Sequence, residues 1–137
     1  MGTIDVFVYG TLKPGGIYYQ QYCAPYLKTV QLAQVRGLLY DLPEQGYPVM
    51  TLGDGWVKGY LFTLEQTAMA GLDALEGYTP HALETAQDEV DAEETYTRWC
   101  ISVFDRDGMS LGESWVYGMD SAPSGAVWLP EGEWIGT

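Results

Sequence analysis

Ile4-Asp5-Val6-Phe7-Val8-Tyr9, followed by Gly10-Thr11-Leu12-Lys13-Pro14-Gly15-Gly16, decides how the rest of the chain is read. The first part is dense in β-branched and aromatic residues, which favour a pleated, extended backbone. The second part stops that strand with glycine and proline. A strand that ends in glycine at a tight turn can aim successive N–H groups into one concavity. Such a nest holds a carboxylate or an oxyanion without side-chain charge. An ordinary turn is the other reading of the same residues.

Working outward, residues 17–27 read as a short helix whose length Pro25 limits. Leu32–Leu42 reads as a second strand. Pro43, Gly46, Pro48, Gly53 and Gly55 mark a turn-rich stretch, and Trp56–Phe62 alternates as a third strand. Thr63 and Gln66 have the spacing of a capping box, and Leu64, Ala68, Leu72 and Leu75 then recur on one helical face. Gly77 is placed to close that helix in a left-handed conformation. Asp88–Glu94 reads as a solvated acidic loop. Tyr96–Phe104 and Met109–Tyr117 form a predicted hairpin across Asp105-Arg106-Asp107-Gly108. Residues 118–137 carry no assignable pattern. Strands mixed with two helices, without repeat or linker, predict one domain over residues 1–137. Its class is α+β with a curled or barrel-like sheet.

Composition narrows the function. The chain has 137 residues, too few for a TIM barrel and cramped for a dinucleotide domain plus a substrate domain. Apolar residues make up 47%, enough for a core. The net charge of −13 repels phosphate backbones and anionic lipid, so neither nucleic acid nor a membrane surface is an expected partner. No apolar run approaches the roughly 18 residues of a membrane span. The N-terminal residues lack the basic start of a signal peptide, and Cys23 and Cys100 do not make a disulfide framework. A cytoplasmic protein is the expectation.

Several motif matches fail on context. Gly10 and Gly15 begin like a P-loop, but Gly16 stands where the lysine belongs. Gly108-Met109-Ser110-Leu111-Gly112 matches the nucleophile elbow, yet a hairpin turn precedes it, a strand follows it, and His81 lies upstream. One histidine and two distant cysteines give no zinc spacing, and Asp88–Glu94 lacks the ligand rhythm of a calcium loop. No metal site and no cofactor are expected. His81 reads as a surface or loop residue, and Cys23 and Cys100 as small packing residues.

Leu72-Asp73-Ala74-Leu75-Glu76-Gly77-Tyr78 holds a different kind of signal. Glu76 falls at the predicted helix C-terminus, where the dipole is negative and carbonyls are unpaired. A carboxylate beside the apolar stripe there has its pKa raised, which suits a proton shuttle near neutral pH. A capping or surface glutamate is the other reading.

Taken together, the loop and the glutamate carry a resemblance. Val6-Phe7-Val8-Tyr9-Gly10-Thr11-Leu12-Lys13 is similar to the opening motif of the γ-glutamylcyclotransferase-like family. Gly37–Asp41, Tyr47-Pro48, Val57–Phe62, Leu72–Tyr78, Tyr96-Thr97-Arg98 and Trp115-Val116-Tyr117 follow in that family's order, over residues 4 to 117. The chain most resembles the short branch of γ-glutamylamine cyclotransferases and plant avirulence-induced-type proteins, with Asp88–Glu94 as extra loop. The resemblance implies a small mixed β-barrel with flanking helices. It also implies that Tyr9, Gly10, Thr11 and Leu12 hold a small γ-glutamyl substrate, that Glu76 is the proton acceptor, and that Tyr96 and Tyr117 stand near the pocket.

The implied chemistry is self-consistent. A γ-glutamyl amide carries its own nucleophile, the α-amine, which is mostly protonated at neutral pH and must lose a proton to attack. Ring closure is intramolecular, so the substrate supplies the proximity. No metal, nucleotide or covalent intermediate enters. A non-catalytic member that keeps the pocket as a small-molecule or protein-interaction module is the alternative.

Overall fold

The computed structural model describes residues 2–76 and 97–135. Strand β1 is Thr3–Val8, the expected opening strand. Alternate residues along it serve two cores, as the period of two in a pleated strand requires. Val6 and Val8 belong to one buried cluster, together with Leu12, Cys23, Phe62, Leu64, Ala68 and Leu72. Phe7 and the adjoining Tyr9 belong to the other, with Val35, Leu39, Met50, Val57, Val103 and Val116. The second cluster fills the inside of a sheet that curls on itself. The first lies between the outside of that sheet and the helices.

The remaining strands are β2 (Leu27–Leu42), β3 (Tyr47–Glu65), β4 (Thr97–Phe104), β5 (Ser110–Gly118) and β6 (Val127–Trp128). The sheet order is β3-β1-β5-β4-β2-β6, and β2 also pairs with β3, so five strands close a ring and β6 lies outside it. Pairing is antiparallel apart from β1 with β5, which makes the sheet mixed. Two seams of the ring are narrow. Val6 meets Trp115 across one, and Gln34 meets Phe104 across the other. The chain thus forms the expected α+β class, a small mixed sheet with flanking helices.

Several local expectations are corrected. The stretch around Pro43–Gly55 is mostly strand: β3 begins at Tyr47, with Pro48 paired to Asp41. One of two register shifts falls between Arg36 and Leu38, where β3 loops out between Thr51 and Trp56. A Cβ at Gly37 would lie 2.7 Å from the Thr51 carbonyl oxygen, so only glycine lets the two backbones close on the bulge. The residue 17–27 segment is not one helix. It is a single turn, α1 (Tyr19–Tyr22), then a 3₁₀ turn at Ala24–Tyr26 that Pro25 opens. Thr63 does not cap a helix. It pairs with Asp5 in the β1–β3 ladder and donates its hydroxyl to Asp5 Oδ1 at 2.8 Å. With a strand on each side, the ladder runs on to Glu65 and α2 starts only at Ala68, ending at Glu76. The Gly77 cap, His81 and the acidic stretch lie outside the described residues.

Residues past β5 are not a featureless tail. β6 pairs with Tyr40 and Asp41 of β2. Trp134 is buried in the inner cluster, and its indole Nε1 donates to Asp41 Oδ1 at 3.0 Å. Among the described residues, no helix is long and apolar enough to cross a membrane.

Candidate active site

The loop after β1 is built from close contacts. Gly10 is buried, and a Cβ there would stand 2.8 Å and 2.9 Å from the Pro48 ring. The Gly10 carbonyl accepts the Lys13 N–H, and the Thr11 carbonyl accepts the Tyr18 N–H, which folds the loop back on itself. Among the described residues, no hydrogen bond takes up the N–H groups of Gly10, Thr11 or Leu12. Such donors are what a nest needs.

The Leu12 and Tyr9 side chains serve the fold. Leu12 is buried in the outer core, where it shares a cluster with Leu72 of α2. Tyr9 is buried too. Its hydroxyl donates to the Tyr117 carbonyl at 2.6 Å and accepts the Met50 N–H at 3.2 Å, joining β1, β5 and β3. The Tyr9 side chain is therefore a structural link between strands.

Tyr117 continues this connection outward. Its hydroxyl donates to Asp73 Oδ1 at 2.6 Å and lies 3.5 Å from Met69 Sδ, both on α2. Arg98 of β4 grips the same carboxylate: Nη1 lies 3.0 Å from each Asp73 oxygen. Both side chains are only 14% exposed, so the pair is weakly screened. The Arg98 guanidinium also lies over the Trp115 ring, 4.6 Å from its centroid. Helix α2 is thus fixed to the hairpin of β4 and β5 one turn before Glu76, its last residue.

The sequence-predicted residues fall out unevenly. Tyr9, Gly10, Thr11, Leu12 and Tyr117 converge on one end of the sheet, and Glu76 ends the helix tied to it. Tyr96 lies outside the described residues. Asp73, Arg98 and Pro48 carry the geometry, although within their sequence motifs nothing marks them for a role. Their signal was weak, since an acid in a helix and an arginine in a strand look like surface residues until the contact pairs them. Ser110 starts β5 on an exposed face, and its hydroxyl accepts the Gly112 N–H, with a strand and not a helix following. Cys23 packs in the outer core as expected, but Cys100 is exposed on β4. Partial desolvation first, and the Glu113 carboxylate 3.9 Å away second, push the Cys100 thiol pKa up.

Comparison with known proteins places this arrangement. The model of the gamma-glutamyl cyclotransferase, AIG2-like family matches residues 6–136, and the chain belongs to that family. No curated protein matches the sequence. Among solved structures, YkqA of Bacillus subtilis is similar at 16% identity with a TM-score of 0.66; the match covers 97% of this chain but 40% of that one, so this chain spans well under half its length. An AIG2-like protein of Mus musculus is similar at 19% identity and TM-score 0.65, over 98% of this chain and 90% of its own. YtfP of Escherichia coli is similar at 24% identity and TM-score 0.55, over 96% of both chains. At these identities the likeness is one of fold.

Proposed function

We propose that the protein is a cofactor-independent γ-glutamyl cyclotransferase. It converts γ-glutamyl amines, amino acids or peptides into 5-oxoproline and a free amine. The observation that carries this reading is the pair of hydrogen bonds through Tyr117, one to Tyr9 and one to Asp73, which joins the loop after β1 to the helix ending at Glu76.

In this mechanism the substrate α-carboxylate or the developing oxyanion is held by the Gly10–Leu12 N–H groups, which are oriented before the substrate arrives. Glu76 takes a proton from the α-ammonium. The freed amine attacks the γ-carbonyl, a C–N bond closes the five-membered ring, and the tetrahedral carbon expels the original amide nitrogen. That nitrogen leaves with the proton Glu76 returns, and the ring nitrogen gives its remaining extra proton to the departing amine. Closing the ring costs little orientation entropy because nucleophile and electrophile belong to one molecule.

The test is incubation with a panel of γ-glutamyl compounds and their N-acetylated forms, with 5-oxoproline measured. Turnover of the free-amine compounds alone supports cyclotransfer. Amine release from the N-acetyl compounds at a comparable rate means that water attacks, and the protein is a hydrolase.

A further inference from the structure

Half of the positive charge of this protein is gathered in one place. The chain has six Lys and Arg residues in all. Lys13, Lys58 and Arg106 line a single cavity of about 140 Å³, together with Gly15, Gly16 and Glu133. Among the described residues, three cations face one carboxylate there, in a chain whose net charge is −13.

Each cation is held by a different part of the fold. Arg106, in the β4–β5 turn, donates Nε to the Ala33 carbonyl at 2.9 Å and Nη2 to the Gly59 carbonyl at 3.0 Å. These two bonds fix the guanidinium and leave its other N–H donors available. Lys13 is half-buried, its ammonium donating to the Trp134 carbonyl and lying 5.8 Å from that indole's centroid. Lys58 is positioned by β3, where its own N–H bonds the Gly132 carbonyl at 2.7 Å. Among the described residues, its ammonium has no ion-pair partner. Like charges gathered and partly desolvated repel one another, and burial, with Arg106 adding to it, lowers the Lys13 pKa against the pull of Glu133. A folded protein keeps such an arrangement at a cost in stability unless a ligand offsets it.

We propose that this cavity binds a dianionic phosphate group, delivered by inorganic phosphate or by a small phosphomonoester. The excess of two positive charges matches a phosphate group, which carries about −1.5 to −2 at pH 7. A cavity well below the roughly 300–1,000 Å³ of a drug-sized pocket takes the charged group and not a whole nucleotide. The loop that begins like a P-loop is part of the wall. The charge that a lysine at position 16 would bring is supplied in space by Lys13, Lys58 and Arg106. The site is independent of the cyclotransferase reading.

Isothermal titration of the full chain with inorganic phosphate, methyl phosphate and malonate, at low and matched ionic strength against chloride, tests this. Phosphate binds, and Lys58→Met weakens it about tenfold or more, as loss of one charge-assisted contact implies. Lys28→Met removes the same charge elsewhere, from an exposed pair with Glu65 at 3.1 Å, and changes phosphate affinity less than about twofold. Among the described residues the Lys58 side chain makes no ion pair, so its variant is expected to keep the thermal transition of the parent. Binding of methyl phosphate with that of the free ion supports a phosphomonoester ligand; exclusion of methyl phosphate supports the free ion. Equal loss in the two lysine variants, malonate binding as tight as phosphate, or phosphate no better than chloride overturns the proposal.

Discussion

Tyr117 donates its phenolic proton to Asp73 at 2.6 Å, across 44 residues of sequence, and so locks the last turns of α2 onto β5. Arg98 Nη1 donates to both oxygens of the same carboxylate. The three side chains form one buried polar network, in which each group is costly to leave unpartnered. Tyr117→Phe removes one charge-assisted bond and is expected to cost about 1–3 kcal/mol. Asp73→Asn weakens both contacts and costs at least as much. Because the two changes act on one network, a double-mutant cycle by thermal or urea unfolding gives a coupling of about 0.5–3 kcal/mol. Strict additivity of the two would show that the network is not shared.

Gly10 and Pro48 are in contact so close that neither tolerates growth of the other. Gly10→Ala drives a methyl into the proline ring and is expected to lower stability by about 1–3 kcal/mol, the usual cost of overpacking. It also displaces the N–H groups of the loop, so 5-oxoproline formation falls even where the protein is folded. Pro48→Ala in the Gly10→Ala background removes the clashing ring atoms and recovers part of the lost melting temperature. No recovery would mean that the clash is not the cause.

The parts of this fold that were legible in the sequence are those set by local pattern. β1 is all β-formers apart from Asp5, and the β4–β5 hairpin is announced by Asp105, whose carboxylate accepts the Asp107 and Met109 N–H groups at 2.9 Å each. Pro48, Gly53 and Gly55 read as turn because their propensities are poor for strands. Fourteen of the sixteen residues of β2 pair with β3, and that ladder overrides propensity, with a bulge absorbing the mismatch. The capping box at Thr63 lost for the same reason, since tertiary pairing with Asp5 offers the hydroxyl a partner that no local window contains. In the site, the loop and Glu76 were legible as motifs. The Asp73–Arg98 pair, 25 residues apart, was not, because only the folded sheet brings them together.

Lys13 gives the protein a pH signature. Its pKa is lowered in the folded state from 10.5, chiefly by burial. Between the lowered value and 10.5 the unfolded chain holds more protons at this position than the folded one. Stability therefore gains from this group as pH rises through that window, and the penalty for burying its charge is fully present below it. Lys13→Met lacks the titration. The unfolding free energy of the parent minus that of Lys13→Met should increase as pH is raised from neutrality towards 10.5. A difference that is flat with pH, or that falls, would contradict a charge buried against its preference.

Glu76 carries the sharpest prediction. Glutamine has nearly the volume of glutamate and keeps a hydrogen-bonding end, but it cannot take a proton from an ammonium group and return it to a leaving amine. General acid–base groups typically contribute about 10² to 10⁴ in rate. Glu76→Gln is therefore expected to keep the thermal transition of the parent while 5-oxoproline release from a γ-glutamyl amide falls by that factor in kcat. In the proposed mechanism loop N–H groups hold the substrate, so KM should move far less than kcat. Glu76→Asp retains the carboxylate but withdraws it by one methylene, and an intermediate rate is expected because proton transfer is sensitive to reach. Turnover of Glu76→Gln within twofold of the parent, in a folded protein, would remove Glu76 from the mechanism and leave the non-catalytic reading of this pocket as the better one.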